Sequence, residues 1–283
     1  MDFSVVTPCF NSVRWIALCV RSVRHACAGL NYEHIVCDGG STDGTLDFLR
    51  NQTDLRLISG PDRGMYDAMN KGMAAARGRR VGHLNVDEQY DRAGLALALE
   101  RLNRPNVDAV FGPTVMLDEE LRFLYLYKQI VRPWKVDAEY QMPVQTCSLL
   151  FHRRIWERFP YPSDFRMAGD HVWVRKQFQL GWNLIPQRLA IGIFTWHPDQ
   201  LAPRHIGGKR ENPTPDVDRK SLPMKAAKLC YRFRHVLLGG TLRPRAIRYE
   251  LTTDSGSVET RIQKWPRLKM PKTEKRRLAE SRN

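Results

Sequence analysis

Gly64-Met65-Tyr66-Asp67-Ala68-Met69-Asn70-Lys71-Gly72-Met73-Ala74-Ala75-Ala76, followed after four intervening residues by Val81-Gly82-His83-Leu84, holds the pattern on which the fold turns. Met65, Ala68, Met69, Gly72, Met73 and Ala76 recur at i, i+3, i+4, i+7, i+8 and i+11, which is one face of a helix. Val81–Leu84 reads as a strand. The same alternation extends upstream. Phe3–Thr7 is an apolar run closed by Pro8 and reads as a buried strand. Val13–Ala26 reads as a helix with Ser12 as its N-cap. His34–Cys37 is a second strand, closed by Asp38-Gly39-Gly40. Ser41 or Thr42 caps the next helix, which runs to Arg50, and Leu55–Ile58 is a third strand. Downstream, Gly94–Leu102 is helical and Ala109–Gly112 is a strand. Val115–Tyr127 suggests a hairpin or edge strands. Arg153–Phe159 and Asp170–Leu180 look helical, and Asn183–Ile193 looks extended.

Strands alternating with helices predict an α/β fold, with a mainly parallel sheet covered on both faces. Ligands bind such sheets at the carboxyl ends of the strands. Thr7–Asn11, Asp38–Asp43 and Asn85–Glu88 follow strands and are therefore the segments to inspect.

The chain has 283 residues, enough for one large domain or a domain with an appendage. Its hydrophobic fraction of 42% supports a sizeable core and excludes a wholly disordered chain. The net charge of +15 is uneven, because residues 204–283 hold 21 Lys and Arg against 8 Asp and Glu. Such a tail seeks an anionic partner. Cys9, Cys19, Cys27, Cys37, Cys147 and Cys230 form no CxxC pair, which argues against a zinc knuckle and suits a reducing cytoplasm. The start, Met1-Asp2-Phe3-Ser4, lacks the features of a signal peptide. No apolar run is long enough to span a bilayer.

No GxGxxG follows the first strand and no GxxxxGK[ST] occurs, which counts against a dinucleotide fold and a P-loop. Thr7-Pro8-Cys9-Phe10-Asn11 stands in that place and alternates polar groups with an aromatic ring, which suits a base and a ribose. In Asp38-Gly39-Gly40-Ser41-Thr42-Asp43-Gly44, the glycines let the backbone approach a ligand. Asp38 can accept hydrogen bonds from a nucleoside. Asp43, in the first turn of a helix, has capping as its plain role.

Thr7–Asn11, Asp38–Thr45 and Gly60-Pro61-Asp62-Arg63-Gly64-Met65-Tyr66-Asp67-Ala68-Met69-Asn70-Lys71-Gly72 together resemble family 2 glycosyltransferases of the GT-A fold, of the bacterial surface-polysaccharide type. The resemblance covers residues 3 to 200. It implies a Rossmann-like, mostly parallel sheet flanked by helices. It also implies inverting transfer of a sugar from a nucleotide-sugar donor, with UDP the favoured nucleotide, to a glycan or lipid-linked acceptor. Donor binding then falls to Thr7, Pro8, Phe10, Asn11, Asp38, Gly40, Ser41, Arg63, Lys71, Asn85, Val86 and Asp87. The family's DxD element reads Asn85-Val86-Asp87, followed by Glu88. Asp87 is the natural ligand for a divalent cation, Mn or Mg, which bridges the donor phosphates. Asn85 departs from the pattern, and Glu88 is the acid available to compensate. His197, after the last strand, is a further metal or phosphate ligand candidate. Arg204, His205 and Lys209 are candidates for a flap over the pyrophosphate. The general base corresponds to Asp170 in Arg166-Met167-Ala168-Gly169-Asp170-His171-Val172-Trp173. Position 169 is Gly where many members have an acid. Cys147-Ser148 replaces a His-Gln pair common in close relatives, so acceptor contacts are expected to differ there.

A domain boundary is expected near Pro203, giving a catalytic domain over 1–203 and a basic C-terminal extension over 204–283. Within the extension, residues 223–238 are an amphipathic helix candidate. Ala226, Leu229, Cys230, Phe233 and Leu237 form its apolar stripe, beside Lys225, Lys228, Arg232 and His235. Its composition suits an anionic membrane surface. The expected location is therefore the inner face of the plasma membrane, with a disordered C-terminal end. Two rival readings remain: a nucleotide-sugar-binding protein without turnover, kept open by Asn85, and a nucleic-acid-binding protein acting through the tail. The tail holds few aromatics and no stacking platform, so nucleic acid is not the expected partner.

Overall fold

Six of the seven strands in the main sheet run parallel, and one runs against them. The computed structural model describes residues 1–127, 139, 144–197, 200, 211–212, 217–218, 220–237 and 246–264. In chain order the elements begin with β1 (Phe3–Cys9), α1 (Val13–Ala26), β2 (Tyr32–Asp38), α2 (Thr45–Arg50), β3 (Arg56–Ser59), α3 (Met65–Ala75) and β4 (Arg80–His83). Next come β5 (Glu88–Tyr90), α4 (Arg92–Leu102), β6 (Ala109–Phe111), β7 (Thr114–Leu117) and β8 (Phe123–Tyr127). A 3-10 turn (Thr146–Ser148) leads into β9 (Leu149–His152), α5 (Arg153–Arg158), α6 (Gly169–Leu180), β10 (Leu184–Pro186) and β11 (Gly192–Thr195). The last are α7 (Leu222–Leu237), β12 (Ile247–Thr252) and β13 (Val258–Gln263). The main sheet has the order β10-β6-β9-β4-β1-β2-β3, with β9 the antiparallel strand. A smaller sheet, β5-β11-β7-β8, carries the expected hairpin as β7 and β8.

The two faces of the main sheet follow the period of two along each strand. Val6, Ala109, Phe111, Leu149 and Phe151 pack with α3 and α6 through Met69, Met73, Trp173, Val174 and Phe178. Phe3, Val5, Val110 and Leu150 face the other way, onto Cys19 and Val23 of α1 and Leu95, Ala98 and Leu99 of α4. Cys9, Cys19, Cys27, Cys37 and Cys147 are all buried free thiols, and burial pushes each of them up.

The helix ends differ from expectation in an informative way. Ser12 is the N-cap residue of α1, but its hydroxyl bonds to the carbonyl of Phe10 rather than to the helix. The first turn is capped instead from the β2–α2 loop: Asp43 Oδ2 accepts from Val13 N and Thr45 Oγ1 from Ser12 N. Neither Ser41 nor Thr42 caps α2. Its N-cap is Gly44, and Asp43 Oδ1 takes the amide of Thr45. Asp43 therefore caps two helices at once and ties the β1 and β2 loops together.

The C-terminal region also departs from a free tail. β12 and β13 form a hairpin over residues 247–263 that the composition did not announce. Tyr249 and Leu251 are buried against Val115, Leu117, Leu126 and Ile193 of the smaller sheet and Leu121 in its β7–β8 turn. Gln89 in β5 and Asp91 just after it bind the hairpin's backbone, with Glu250 N donating to Asp91 Oδ2 and Thr252 N to Gln89 Oε1. By its contacts this hairpin belongs to the catalytic body. The expected boundary near Pro203, the flap candidates Arg204, His205 and Lys209, and the end beyond residue 264 lie outside the described residues. Among the described residues, no helix is long and apolar enough to cross a membrane.

Leu251→Ala should lower the free energy of unfolding by about 2–5 kcal/mol, the range for emptying a buried leucine site. Urea denaturation followed by circular dichroism checks it. A loss below about 0.5 kcal/mol, the size usual at surface positions, would show that the hairpin does not pack there.

Candidate active site

The parallel register sets Cys9 beside Asp38 and Asp38 beside Ser59. The loops after β1, β2 and β3 therefore leave the sheet side by side, and Asp38 is where they meet. Its carboxylate is buried and accepts from Gly40 N, Ser41 N, Ser41 Oγ and Ser59 Oγ at 3.0, 3.0, 2.5 and 3.4 Å. Ser41 Oγ in turn receives Asn11 N, and Asn11 Oδ1 receives Thr42 N. Asp38 is thus a brace for the donor loops rather than a free acceptor for a nucleoside, which corrects the direct contact expected of it.

Of the remaining β1 loop residues, Thr7 and Pro8 are buried within the strand. Thr7 Oγ1 bonds to His34 Nε2 at 2.9 Å beneath the surface, so neither residue reaches a ligand through its side chain. Phe10 is different: its ring is 61% exposed at the strand edge. Asn11 holds a left-handed φ of 45°, and Gly40 a φ of 92°.

Gly39 exposes a residue that the sequence reading passed over. A Cβ at position 39 would lie 2.6 Å from Asp62 Oδ2. Asp62, in the β3–α3 loop, therefore occupies the space a side chain at 39 would take. Its Oδ1 accepts from Gly64 N, and the carboxylate stands beside the loop that Asp38 braces. The signal in the sequence was the pair Gly39-Gly40 together with an acid in the loop after the next strand. Arg63 and Lys71 both pair with Asp67, at 3.1 and 3.2 Å, and Lys71 also donates to the carbonyl of Pro61. They brace the start of α3, with Arg63 still largely exposed.

After β4, Asp87 collects partners from a distant part of the chain. His197 Nε2 lies 3.1 Å and Gln200 Nε2 2.5 Å from Asp87 Oδ2. Trp15 packs on the His197 ring at 4.8 Å between centroids. Asn85 is held by His83, whose ring nitrogen is 2.9 Å from Asn85 Oδ1. Burial lowers His83 to about 4, so it is neutral. Val86 packs beside the cluster of Cys9, Ile16, Val20, Val36 and Leu49. Glu88 does not face the site. It is buried in β5, accepts from Asn85 N at 2.7 Å, and is pushed up by burial and by the neighbouring charge of Asp87. It closes the turn rather than compensating for Asn85, which corrects its candidacy as a ligand.

Asp87 and His197 set one carboxylate and one imidazole together, and His197 Nδ1 is buried with no hydrogen-bond partner. No group of three or more His, Cys, Asp or Glu side chains converges among the described residues. This pair alone would not fill the shell of a divalent cation, and an oxygen and a nitrogen donor suit Mn or Mg only if ligand and water oxygens supplied the remaining positions.

Asp170 stands in the first turn of α6 and reaches the same edge through α3. Tyr66, in the first turn of α3, donates to the carbonyl of Met167 at 2.9 Å and lies 3.3 Å from Asp170 Oδ1. Asp170 Oδ1 also accepts from His171 N at 2.7 Å. Burial raises its carboxyl to about 6, which outweighs these hydrogen bonds. A Cβ at Gly169 would meet the Tyr66 ring at 2.7 Å, so packing explains the missing acid at that position. Cys147 and Ser148 are buried, and Ser148 Oγ bonds to Thr114 Oγ1 at 2.7 Å and accepts from Gly192 N at 2.9 Å. They join the two sheets, and a role in acceptor contact is not where the structure places them.

The sequence model of glycosyl transferase family 2 matches residues 4–174. A PGL/p-HBAD biosynthesis glycosyltransferase of Mycobacterium bovis is 31% identical over 129 residues, covering 43% of this chain and 50% of the relative. A chondroitin synthase of Pasteurella multocida is 29% identical over 101 residues, covering 34% of this chain and 10% of its own length. The chain thus spans half the length of the first of these relatives and a tenth of the second. Among solved structures, S. aureus TarS in complex with UDP-GlcNAc superposes with a TM-score of 0.61 at 16% identity, over 86% of this chain and 76% of that one. A Pyrobaculum calidifontis mannosyltransferase in complex with GDP-Man and Mn2+ gives a TM-score of 0.54 at 20% identity, over 80% and 68%. At these identities the two structures bear on the fold, and they agree with its mostly parallel sheet flanked by helices.

Asp38→Ala removes the acceptor of a buried hydrogen-bond array, so it should lower unfolding free energy by more than about 2 kcal/mol, since bonds to charged groups contribute about 1.5–3 kcal/mol each. A variant as stable as the parent in urea, with only ligand affinity reduced, would return Asp38 to the role of direct contact.

Proposed function

The chain belongs to glycosyl transferase family 2, and on that premise we propose that it transfers a sugar, with inversion, from a UDP-sugar to a hydroxyl of a glycan or lipid-linked acceptor in surface-polysaccharide synthesis. The observation that carries the reading is Asp170: a carboxyl raised to about 6, on the strand-end edge that also holds Asp87 and His197. A base with a raised pKa suits proton removal from an alcohol near neutral pH. The acceptor oxygen attacks the anomeric carbon, its proton passes to an Asp170 carboxylate oxygen, and the bond from the anomeric carbon to the phosphate oxygen breaks. The nucleoside diphosphate leaves with that electron pair.

Phe10 and Asp62 would meet the nucleoside, a reading supported by the exposure of Phe10, by Asp62 standing beside Gly39 and by the Asp38 brace between their loops. Asp87 and His197 would hold a divalent cation, Mn or Mg, whose chemistry when bound is to neutralise charge on the leaving diphosphate. The neighbours solved with UDP-GlcNAc and with GDP-Man and Mn2+ support a nucleotide-sugar donor and a cation.

The remaining expected partner, a membrane surface, concerns α7. Its sequence has Lys225, Lys228, Arg232 and Arg234 and no acid, while Leu222, Leu229, Phe233 and Leu237 are 79, 69, 64 and 56% exposed. An exposed apolar stripe on a wholly basic helix suits an anionic lipid surface, where each Lys or Arg contributes about 1 kcal/mol. On this reading the enzyme works as a peripheral protein on the cytoplasmic face of the plasma membrane, near a lipid-linked acceptor.

Calorimetric titration with UDP, GDP, CDP and dTDP, with Mn2+ and then with EDTA, tests the donor site. Micromolar binding of UDP that EDTA abolishes is the expected result. Binding of no nucleotide, with salt-dependent binding of DNA or RNA, would overturn it. Asp170→Asn should lower kcat by about 10²–10⁴-fold while leaving UDP affinity intact. Donor binding without transfer in the parent chain would favour a binding protein instead. Because the base must be ionised, kcat should rise with pH through about 6 and level off above it. Flotation on phosphatidylglycerol-containing vesicles, lost in Leu229→Glu/Phe233→Glu and absent on phosphatidylcholine alone, is expected of α7. Equal flotation of parent and variant would remove the helix from that role.

A further inference from the structure

We propose that Glu211 is a positioning residue for the general base, fixing the turn that presents Asp170. This inference rests on the reading of Asp170 as base. Glu211 is separated from that turn by more than forty residues, yet its carboxylate takes three successive backbone amides of it. Oε1 accepts from Arg166 N at 2.7 Å, and Oε2 accepts from Met167 N and Ala168 N at 2.9 Å each. These hydrogen bonds hold the Glu211 carboxyl below its ordinary value against a desolvation penalty, so it is an anion at neutral pH.

The turn needs such a clamp. Ala168 is the N-cap residue of α6 and has no side chain able to cap it. The amide of His171 is already taken by Asp170 itself. Tyr66 fixes the turn from the other side through the carbonyl of Met167. Met167 is therefore held at both its amide and its carbonyl, by Glu211 and by Tyr66. Tyr66 has a single proton and gives it to Met167 at 2.9 Å, which leaves only the longer 3.3 Å contact to Asp170. The direction of the Asp170 side chain is consequently set by the turn more than by its own partners. Glu211 and Asp170 are also like charges, and that repulsion adds to the raised pKa of the base.

The sequence position of Glu211 gives the clamp a second consequence. His197 and Gln200 bind Asp87 on the donor side, and Glu211, eleven residues after Gln200 in the sequence, binds the turn beside the base. Residues close in sequence thus serve both the leaving-group side and the acceptor side of the reaction.

Steady-state kinetics of Glu211→Gln and Glu211→Asp, beside Asp170→Asn, test the proposal. Glu211→Gln keeps the shape but turns an NH2 group toward the amides. It should lower kcat by about 10- to 100-fold, the scale of a misplaced catalytic group, with UDP affinity by calorimetry unchanged. The acid limb of its kcat profile should move to lower pH, because a negative neighbour of Asp170 is gone. Glu211→Asp keeps the charge with a shorter reach, so it should lower kcat while leaving the acid limb in place. A purely structural role would not separate the two variants in this way. Unchanged kcat and an unshifted limb in both variants, with Asp170→Asn inactive, would overturn the proposal and leave the base assignment standing. A fully active Asp170→Asn would instead overturn the base assignment. If Glu211→Gln melts below the assay temperature, Glu211→Asp decides alone: parental kcat sinks the clamp.

Discussion

The buried carboxylate of Asp38 is the interaction on which the site depends. Three parallel strands end side by side, and each must turn away without leaving amides unsatisfied. Asp38 resolves this for two of the loops directly, through Gly40, Ser41 and Ser59, and for the β1 loop through Ser41 and Asn11. A neutral side chain could not satisfy so many donors at once. The bonds to charge also make the array stiff. Once the loops are fixed, Phe10 and Asp62 acquire definite positions, and a ligand meets a preformed edge rather than mobile chain.

A second rigid link joins that edge to the base. α3 begins where the β3 loop ends, so its first turn sits at the carboxyl edge by construction. Tyr66 in that turn then holds the carbonyl of Met167, and its ring fills the space above Gly169. The apolar face that marked α3 in the sequence is thus the foundation of a polar function. Met69 and Met73 seat the helix on the sheet, and Tyr66 transmits that placement to α6. A change in the packing of α3 would be felt at Asp170 without touching it.

Much of this was legible in the sequence, for physical reasons that also explain the gaps. Strands β1 to β4 and helices α1 and α3 are long or periodic, and they lie close together in sequence. Their patterns are therefore local. The hairpin of β12 and β13 was invisible because its strands are short and mostly polar: Tyr249 and Leu251 suffice for burial when a partner sheet already exists. β5 was missed because Glu88 and Gln89 do not look like buried strand residues, and they become so only by bonding Asn85 and Thr252. Asp62 stood inside a recognisable segment without a role of its own, and Gln200 and Glu211 carry no motif. Each acquires its place from a contact with a distant segment. Thr7 failed in the opposite sense, since a polar residue at a strand end looked like a ligand contact and proves to be a partner for buried His34.

The neutral residue at position 85 has an electrostatic account in the same terms. Asp87 is only 12% exposed, and Glu88 is wholly enclosed behind it, already pushed up by that neighbouring charge. A third carboxylate at 85 would face both, with His83 beneath it neutral and unable to offset the added charge. Buried like charges raise one another and end by keeping a proton. Asparagine keeps the oxygen that His83 binds without adding to that repulsion, while the backbone N–H of residue 85 closes the turn onto Glu88. The departure from a paired-acid motif therefore concentrates the negative charge of the turn on Asp87, the one carboxylate that His197 and Gln200 can reach.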